Sequence, residues 1–197
     1  MTTIATGVRR QTVTVLFVDI VGFTALVDEL DCTEVRALQV DYFAAVSAVV
    51  RDCGGVVEKY VGDAVMAVFG VSSRRPGEGA AAAVRAGLAV QEALTDRRLA
   101  GRFQVRIRVG LATGDVIVDP AAVRDGGQHM ISGSVVNTAA RLQAYAPHGT
   151  VVVDAATREV TDNSIAYQEL PQVNVAGKPY PLDLWRALHR QHEMALV

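Results

Sequence analysis

Apolar residues fall along this chain in short runs and helical stripes, and their spacing sets out the elements in order. Residues 12–18 form a β-branched run of strand length, apolar enough to be buried on both faces. The pattern changes at Asp19. Gly22 and Thr24 mark a turn into a helical start, with Thr24 or Asp28 as the cap. Over residues 33–53, Val35, Leu38, Tyr42, Val46, Val49 and Cys53 recur three or four apart, the stripe of a long helix. Thr33 is its expected cap, Glu34 suits its first turn, and Gly54-Gly55 ends it. Residues 56–60 and 64–69 are apolar segments separated by Val61-Gly62-Asp63, which predicts a hairpin with Asp63 at its tip or just inside the second strand.

Residues 72–79 read as a polar loop, and the Ala-rich residues 80–94 as a helix by propensity. In residues 104–113, Val105, Ile107 and Val109 alternate with Arg106 and Arg108, a half-buried strand with the arginines on its solvated face. Gly114-Asp115 reads as a turn into a partner strand at 116–118. Residues 120–127 read as a loop. Helices follow at 134–145 and 155–161, and strands at 151–153, 166–170 and 182–188. The order predicts an α+β protein. Its core is a ferredoxin-like, palm-type βαββαβ unit, an antiparallel sheet covered on one face by helices, with C-terminal strands added. Residues 11–190 are expected to be one domain, with a lead-in at 1–10 and a tail at 191–197.

Composition narrows the function classes. A chain of 197 residues, half of them apolar, suits one domain with a sizeable core. A net charge of -2 gives no broad basic field, so no nucleic-acid partner is expected. No apolar run approaches the ~20 residues that span a bilayer, so no membrane contact is expected within this chain. The first ten residues lack a signal-peptide core, and Cys32 and Cys53 make no disulfide framework, so the expected location is the cytoplasm. The four histidines show no metal-ligand spacing, and no serine sits in a nucleophile elbow.

The candidate chemistry lies in two segments, FVDIVGFT around Asp19 and EKYVGD ending at Asp63. Each sets one Asp beside a Gly at the edge of an apolar run. Either alone is explained by a turn. Together, two carboxylates at strand ends are what holds Mg2+ or Mn2+ against a phosphate chain. Further on stands ISGSVVNTAARL, in which Asn137 and Arg141 are four apart and share one helix face.

FVDIVGFT, GGVVEKYVGDAVMAVF, VGLATGDVI and SGSVVNTAARL occur in that order, and from about residue 12 to 188 the chain resembles the catalytic domain of class III adenylyl or guanylyl cyclases. The resemblance implies attack of a ribose 3′-hydroxyl on the α-phosphate of its own nucleoside triphosphate, with pyrophosphate leaving and two Mg2+ or Mn2+ ions per active site. It assigns Asp19, Asp63 and the carbonyl of Ile20 to the metals, and the backbone around Gly22, Phe23 and Thr24 to the triphosphate. Asn137 would orient the ribose, Arg141 would stabilise charge on the α-phosphate, and Lys59 would select adenine. Asp19, Asp63 and Lys59 would belong to one protomer of a homodimer and Asn137 and Arg141 to the other, so ATP is the expected substrate of shared sites.

Two positions depart from the family pattern. The second base-selecting position is Met130, whose thioether is a weak acceptor; Asp125, Gln128, His129 and Ser132 stand nearby. A phosphate-contacting lysine is replaced by Ala176, with Lys178 two residues on as a substitute. The other readings are a cyclase of relaxed specificity that also uses GTP, and a catalytically weak or inactive regulatory domain. A diguanylate cyclase is a further palm-type rival, but it has no counterpart of VVNTAARL.

Overall fold

The structure, a computed structural model, describes residues 9–73, 76–119, 131–173 and 181–189. The elements run β1 (Arg9–Ile20), α1 (Phe23–Asp28), α2 (Cys32–Asp52), β2 (Val56–Val61), β3 (Ala64–Phe69), α3 (Pro76–Thr95), β4 (Ile107–Val118), β5 (Ile131–Ser132), α4 (Ser134–Tyr145), β6 (Thr150–Val153), α5 (Ala155–Thr161), β7 (Ala166–Val173) and β8 (Leu182–Leu188). One sheet has the order β2-β3-β1-β4-β6-β8-β7, with β5 on β4. Among the described residues every pairing is antiparallel except β4 with β6.

The apolar run of β1 is explained by its place between β3 and β4. Leu16, Val18 and Ile20 point to one face, where they pack with Leu38, Tyr42 and Val46 of α2 and Val84 of α3. Val13, Val15 and Phe17 point to the other, where Val135, Ala139 and Leu142 of α4 meet them. Helices therefore cover both faces of the sheet rather than one. The buried stripe of α4 is mostly apolar too, and a sheet with two apolar faces must bury both.

Three local expectations are corrected. Asp31, not Thr33, caps α2: its Oδ1 accepts from Thr33 N at 2.7 Å and Glu34 N at 2.9 Å, while Asp31 N donates to Glu34 Oε2. This reciprocal box satisfies more orphan donors than a threonine two residues later could. Neither Thr24 nor Asp28 caps α1, which opens from Gly22 in the left-handed region at φ 72. Nor is there a turn at Gly114-Asp115. β4 runs straight through, paired with β1 from Val118 opposite Arg9 to Ile107 opposite Ile20. Asp115 is tolerated there because Thr12 Oγ1 donates to it at 2.6 Å and Arg10 Nη2 at 2.6 Å. Gly114 lies directly under Val135, where a Cβ would come within 3.3 Å of that side chain.

Candidate active site

The sheet register assembles the site. Val18 of β1 lies opposite Val65 of β3, so the tip of the β2–β3 hairpin stands beside the end of β1. Gly62, at φ 64, makes the tight turn that strand residues could not, and Asp63 follows at the tip. Its Oδ2 accepts a hydrogen bond from Ile20 N at 3.0 Å. Asp19 is one residue earlier and so points to the opposite face, that of α4. Arg108 stands directly across from it on β4. Asp19 Oδ2 accepts from Arg108 Nη2 at 3.0 Å and from Gln143 Nε2 of α4 at 2.8 Å. Each carboxylate is thus tied down through one oxygen.

Asp63 is the carboxyl group that its surroundings perturb. Burial pushes Asp63 up to about 6, and the hydrogen bond and negative charge of Asp19 add to the rise, while the Ile20 N–H opposes it. Beneath them Tyr42 is fully buried, and its hydroxyl has no partner among the described residues. Burial holds that phenol well above its usual value, and the charges of Asp19 and Asp63 raise it further. Two carboxylates this close are a site that a hard divalent cation fits, because the ion removes the like-charge repulsion and takes oxygen donors. No third His, Cys, Asp or Glu joins a metal-holding group among the described residues. The rest of a cation's shell would come from backbone carbonyl, water and the phosphates of a ligand. Arg108 already offsets one of the two negative charges, so a second cation needs the ligand's own charge.

The remaining expected residues divide into groups. Lys59 lies opposite Met66, and Met66 opposite Phe17, which places Lys59 on the same sheet face as Asp19, two strands away. Its ammonium sits 3.3 Å from Oε2 of Glu58, whose side chain is fully buried and makes no hydrogen bond with the described residues. A register shift between Val57 and Lys59 puts this bulge at the strand edge. Gly22, Phe23 and Thr24 lead from the end of β1 into α1, whose first turn has no side-chain cap. Asn137 and Arg141 are not brought to the carboxylates. On α4 the buried residues are Val135, Ala139, Leu142 and Gln143, whereas Asn137 is exposed and Arg141 half-buried, so both turn away from Asp19. Met130 and Lys178 lie outside the described residues, as do Asp125, Gln128, His129 and Ala176.

Sequence reasoning missed Arg108, Gln143 and Glu58. Arg108 was expected on a solvated strand face; instead the β1–β4 register sets it against Asp19, a long-range fact that alternation within one strand does not carry. Gln143 sits in the buried stripe of a helix, where only its unusual polarity marks it.

Residues 7–192 match the adenylate and guanylate cyclase catalytic domain, and the chain belongs to that family. It is 29% identical over 187 residues to Adenylate cyclase 1 of Rhizobium meliloti, covering 91% of this chain and 28% of that protein. An uncharacterized protein of the same organism is 30% identical over 183 residues, covering 92% of this chain and 18% of that protein. The chain thus spans less than a third of the length of these relatives. In structure it is similar to the adenylyl cyclase CyaB from P. aeruginosa, with a TM-score of 0.83, 28% identity and coverage of 95% of this chain and 98% of that one. The guanylyl cyclase Cya2 shares the fold at a TM-score of 0.84 and 23% identity, over 96% and 98% of the two chains. The domain is therefore a class III nucleotidyl cyclase domain, with both adenylyl and guanylyl enzymes among the proteins that share its fold. No helix among the described residues is long and apolar enough to cross a membrane.

Proposed function

We propose that this domain converts ATP to 3′,5′-cyclic AMP and pyrophosphate in sites shared by two copies of the chain. The observation that carries this reading is the division of the polar groups in one chain. Asp19 and Asp63 converge at the end of β1, while Asn137 and Arg141 face outward from the far side of α4. One chain cannot turn both sets on one substrate. Two copies related by a two-fold axis can, because each lends its Asn137 and Arg141 to the carboxylates of the other. Divalent ions, when bound, activate the ribose 3′-hydroxyl and neutralise the phosphates.

Each of the chain's own groups then has a task. Asp19 and Asp63 present oxygens from an anchored pair. The backbone of residues 21–24 offers N–H groups to the triphosphate. Asn137 of the second copy orients the ribose, and Arg141 meets the charge that builds on the α-phosphate, a preorganised electrostatic contribution of the kind that dominates phosphoryl chemistry. Lys59 donates to adenine N1.

Product analysis with purified chain, Mn2+ and ATP or GTP is the direct test. Cyclic AMP is the expected main product, and absence of any cyclic nucleotide would favour the regulatory reading. The shared site has its own check. Asp19→Ala and Arg141→Ala chains should each be inactive alone and regain a fraction of wild-type activity when mixed. Proven heterodimers without recovery would rule the sharing out. With Met130 at the second base-selecting position, one acceptor for adenine's amino group is missing, a loss of about 1–3 kcal/mol. The kcat/KM preference for ATP over GTP should accordingly be below about 100-fold in paired measurements; a stricter preference would locate another acceptor.

A further inference from the structure

A carboxylate oxygen offers two good acceptor directions, and at Oδ2 of Asp19 both are used by groups that belong to or touch α4. Gln143 Nε2 donates at 2.8 Å from the helix itself. Arg108 donates through Nη2 at 3.0 Å and, through Nη1, to the carbonyl of Ala144 at 3.2 Å, so one guanidinium joins Asp19 to the last turn of α4. Gln143 is only 8% exposed, so this amide is committed to the contact rather than shared with water. The same helix carries Asn137 and Arg141 on its outer side. A three-turn helix moves as a body. Whatever sets its last turn against Asp19 also sets the direction in which those two residues point.

We propose that Gln143 and Arg108 are positioning residues that tie Asp19 to α4, so that cation loading at Asp19 and the setting of Asn137 and Arg141 are one coupled event. The inference rests on the metal-binding reading of Asp19 proposed above. With Oδ2 held by Arg108 and Gln143, the other carboxylate oxygen is the one left for an ion. Linkage then works in both directions: anchors that favour the ion are themselves favoured by it. In a dimer, occupation of one site thereby adjusts the groups that the same chain lends to the other.

The test uses Mn2+ alone as probe on the purified chain. Mn2+ affinity is read by electron paramagnetic resonance, and the rigidity of α4 by amide hydrogen exchange over residues 139–146. In the wild type, Mn2+ should slow exchange in that segment. Gln143→Met keeps the length of the side chain and removes the donor; it should weaken Mn2+ binding about ten-fold, the scale of lost outer-shell partners, and abolish the slowing. Arg108→Gln is the second variant and separates two explanations by sign. A bystander cation repels the ion, so its removal would tighten binding; a positioning residue predicts about ten-fold weaker binding. Unchanged affinity in a folded Gln143→Met chain, tighter binding in Arg108→Gln, or no effect of Mn2+ on wild-type α4 would each overturn the coupling alone. A wild-type chain that binds no Mn2+ would overturn the metal-site reading and the coupling with it.

Discussion

An Asp63→Asn chain is expected to lose more than about 100-fold of its cyclase activity, beyond the loss typical of a mere outer-shell partner, while becoming more stable than the wild type in the absence of metal. The two effects share a cause. Asp63 is pushed up to about 6 by burial and by Asp19, so its charged form is unfavourable in the folded chain. A group whose folded value is raised above its unfolded one contributes stability that is complete below the unfolded value and disappears as pH rises through the folded one. For Asp63 that window runs from its ordinary 3.8 to about 6. The amide introduced by the substitution can still accept from Ile20 N, but it carries no charge to lose that stability. Melting curves without metal should therefore show a small difference between the two chains at pH 4 and a clear advantage for Asp63→Asn at pH 7. Added Mn2+ should raise the melting temperature of the wild type and leave that of the variant in place. A variant equal to or below the wild type at pH 7, or one that retains the Mn2+ response, would mean that Asp63 is not the partner of Asp19 in a cation site.

The parts of this site that the sequence made legible are those carried by short-range pattern. Asp19 and Asp63 each stand where an apolar run stops. A carboxylate at the end of a buried strand is conspicuous, since charge is costly anywhere inside it. Asn137 and Arg141 were placed on one helix face by spacing alone, and α4 has the bounds expected for it. What was hidden depends on register. Gly114-Asp115 looks like a turn to any local reading, but the twelve-residue pairing with β1 and the Asp115 contacts to Arg10 and Thr12 outweigh that preference. The same pairing turns Arg108 from a solvated residue into the partner of Asp19. The cover on the second sheet face was hidden for a related reason. An apolar stripe announces that a helix is buried, but not on which side of the sheet it lies.

Gly110→Ala should be the most destabilising alanine substitution among the described glycines. Gly110 sits on β4 opposite Phe17, under the C-terminal half of α4. A Cβ there would lie 2.1 Å from Gln143 N, 2.6 Å from Gln143 Cα and 2.7 Å from the carbonyl oxygen of Ala139. All three are backbone atoms, so no rotamer change relieves the clash and the helix itself must lift. Overpacking usually costs 1–3 kcal/mol, and a rigid backbone contact belongs at or above the upper end, about 3 kcal/mol or more. For a domain of this size that lowers the melting temperature by roughly 6–12 °C. The lift also separates Gln143 from Asp19, because the amide that reaches the carboxylate belongs to the residue that the new methyl strikes. Folded Gly110→Ala chains should accordingly bind Mn2+ more weakly as well as melt earlier, whereas Gln143→Met chains are expected to show the weaker binding without the large loss of stability. A melting temperature within about 2 °C of the wild type, less than the ~1 kcal/mol equivalent, would show that α4 does not rest on β4 as closely as described. The glycine of the VGLATG segment would then owe its place to something other than the approach of this helix.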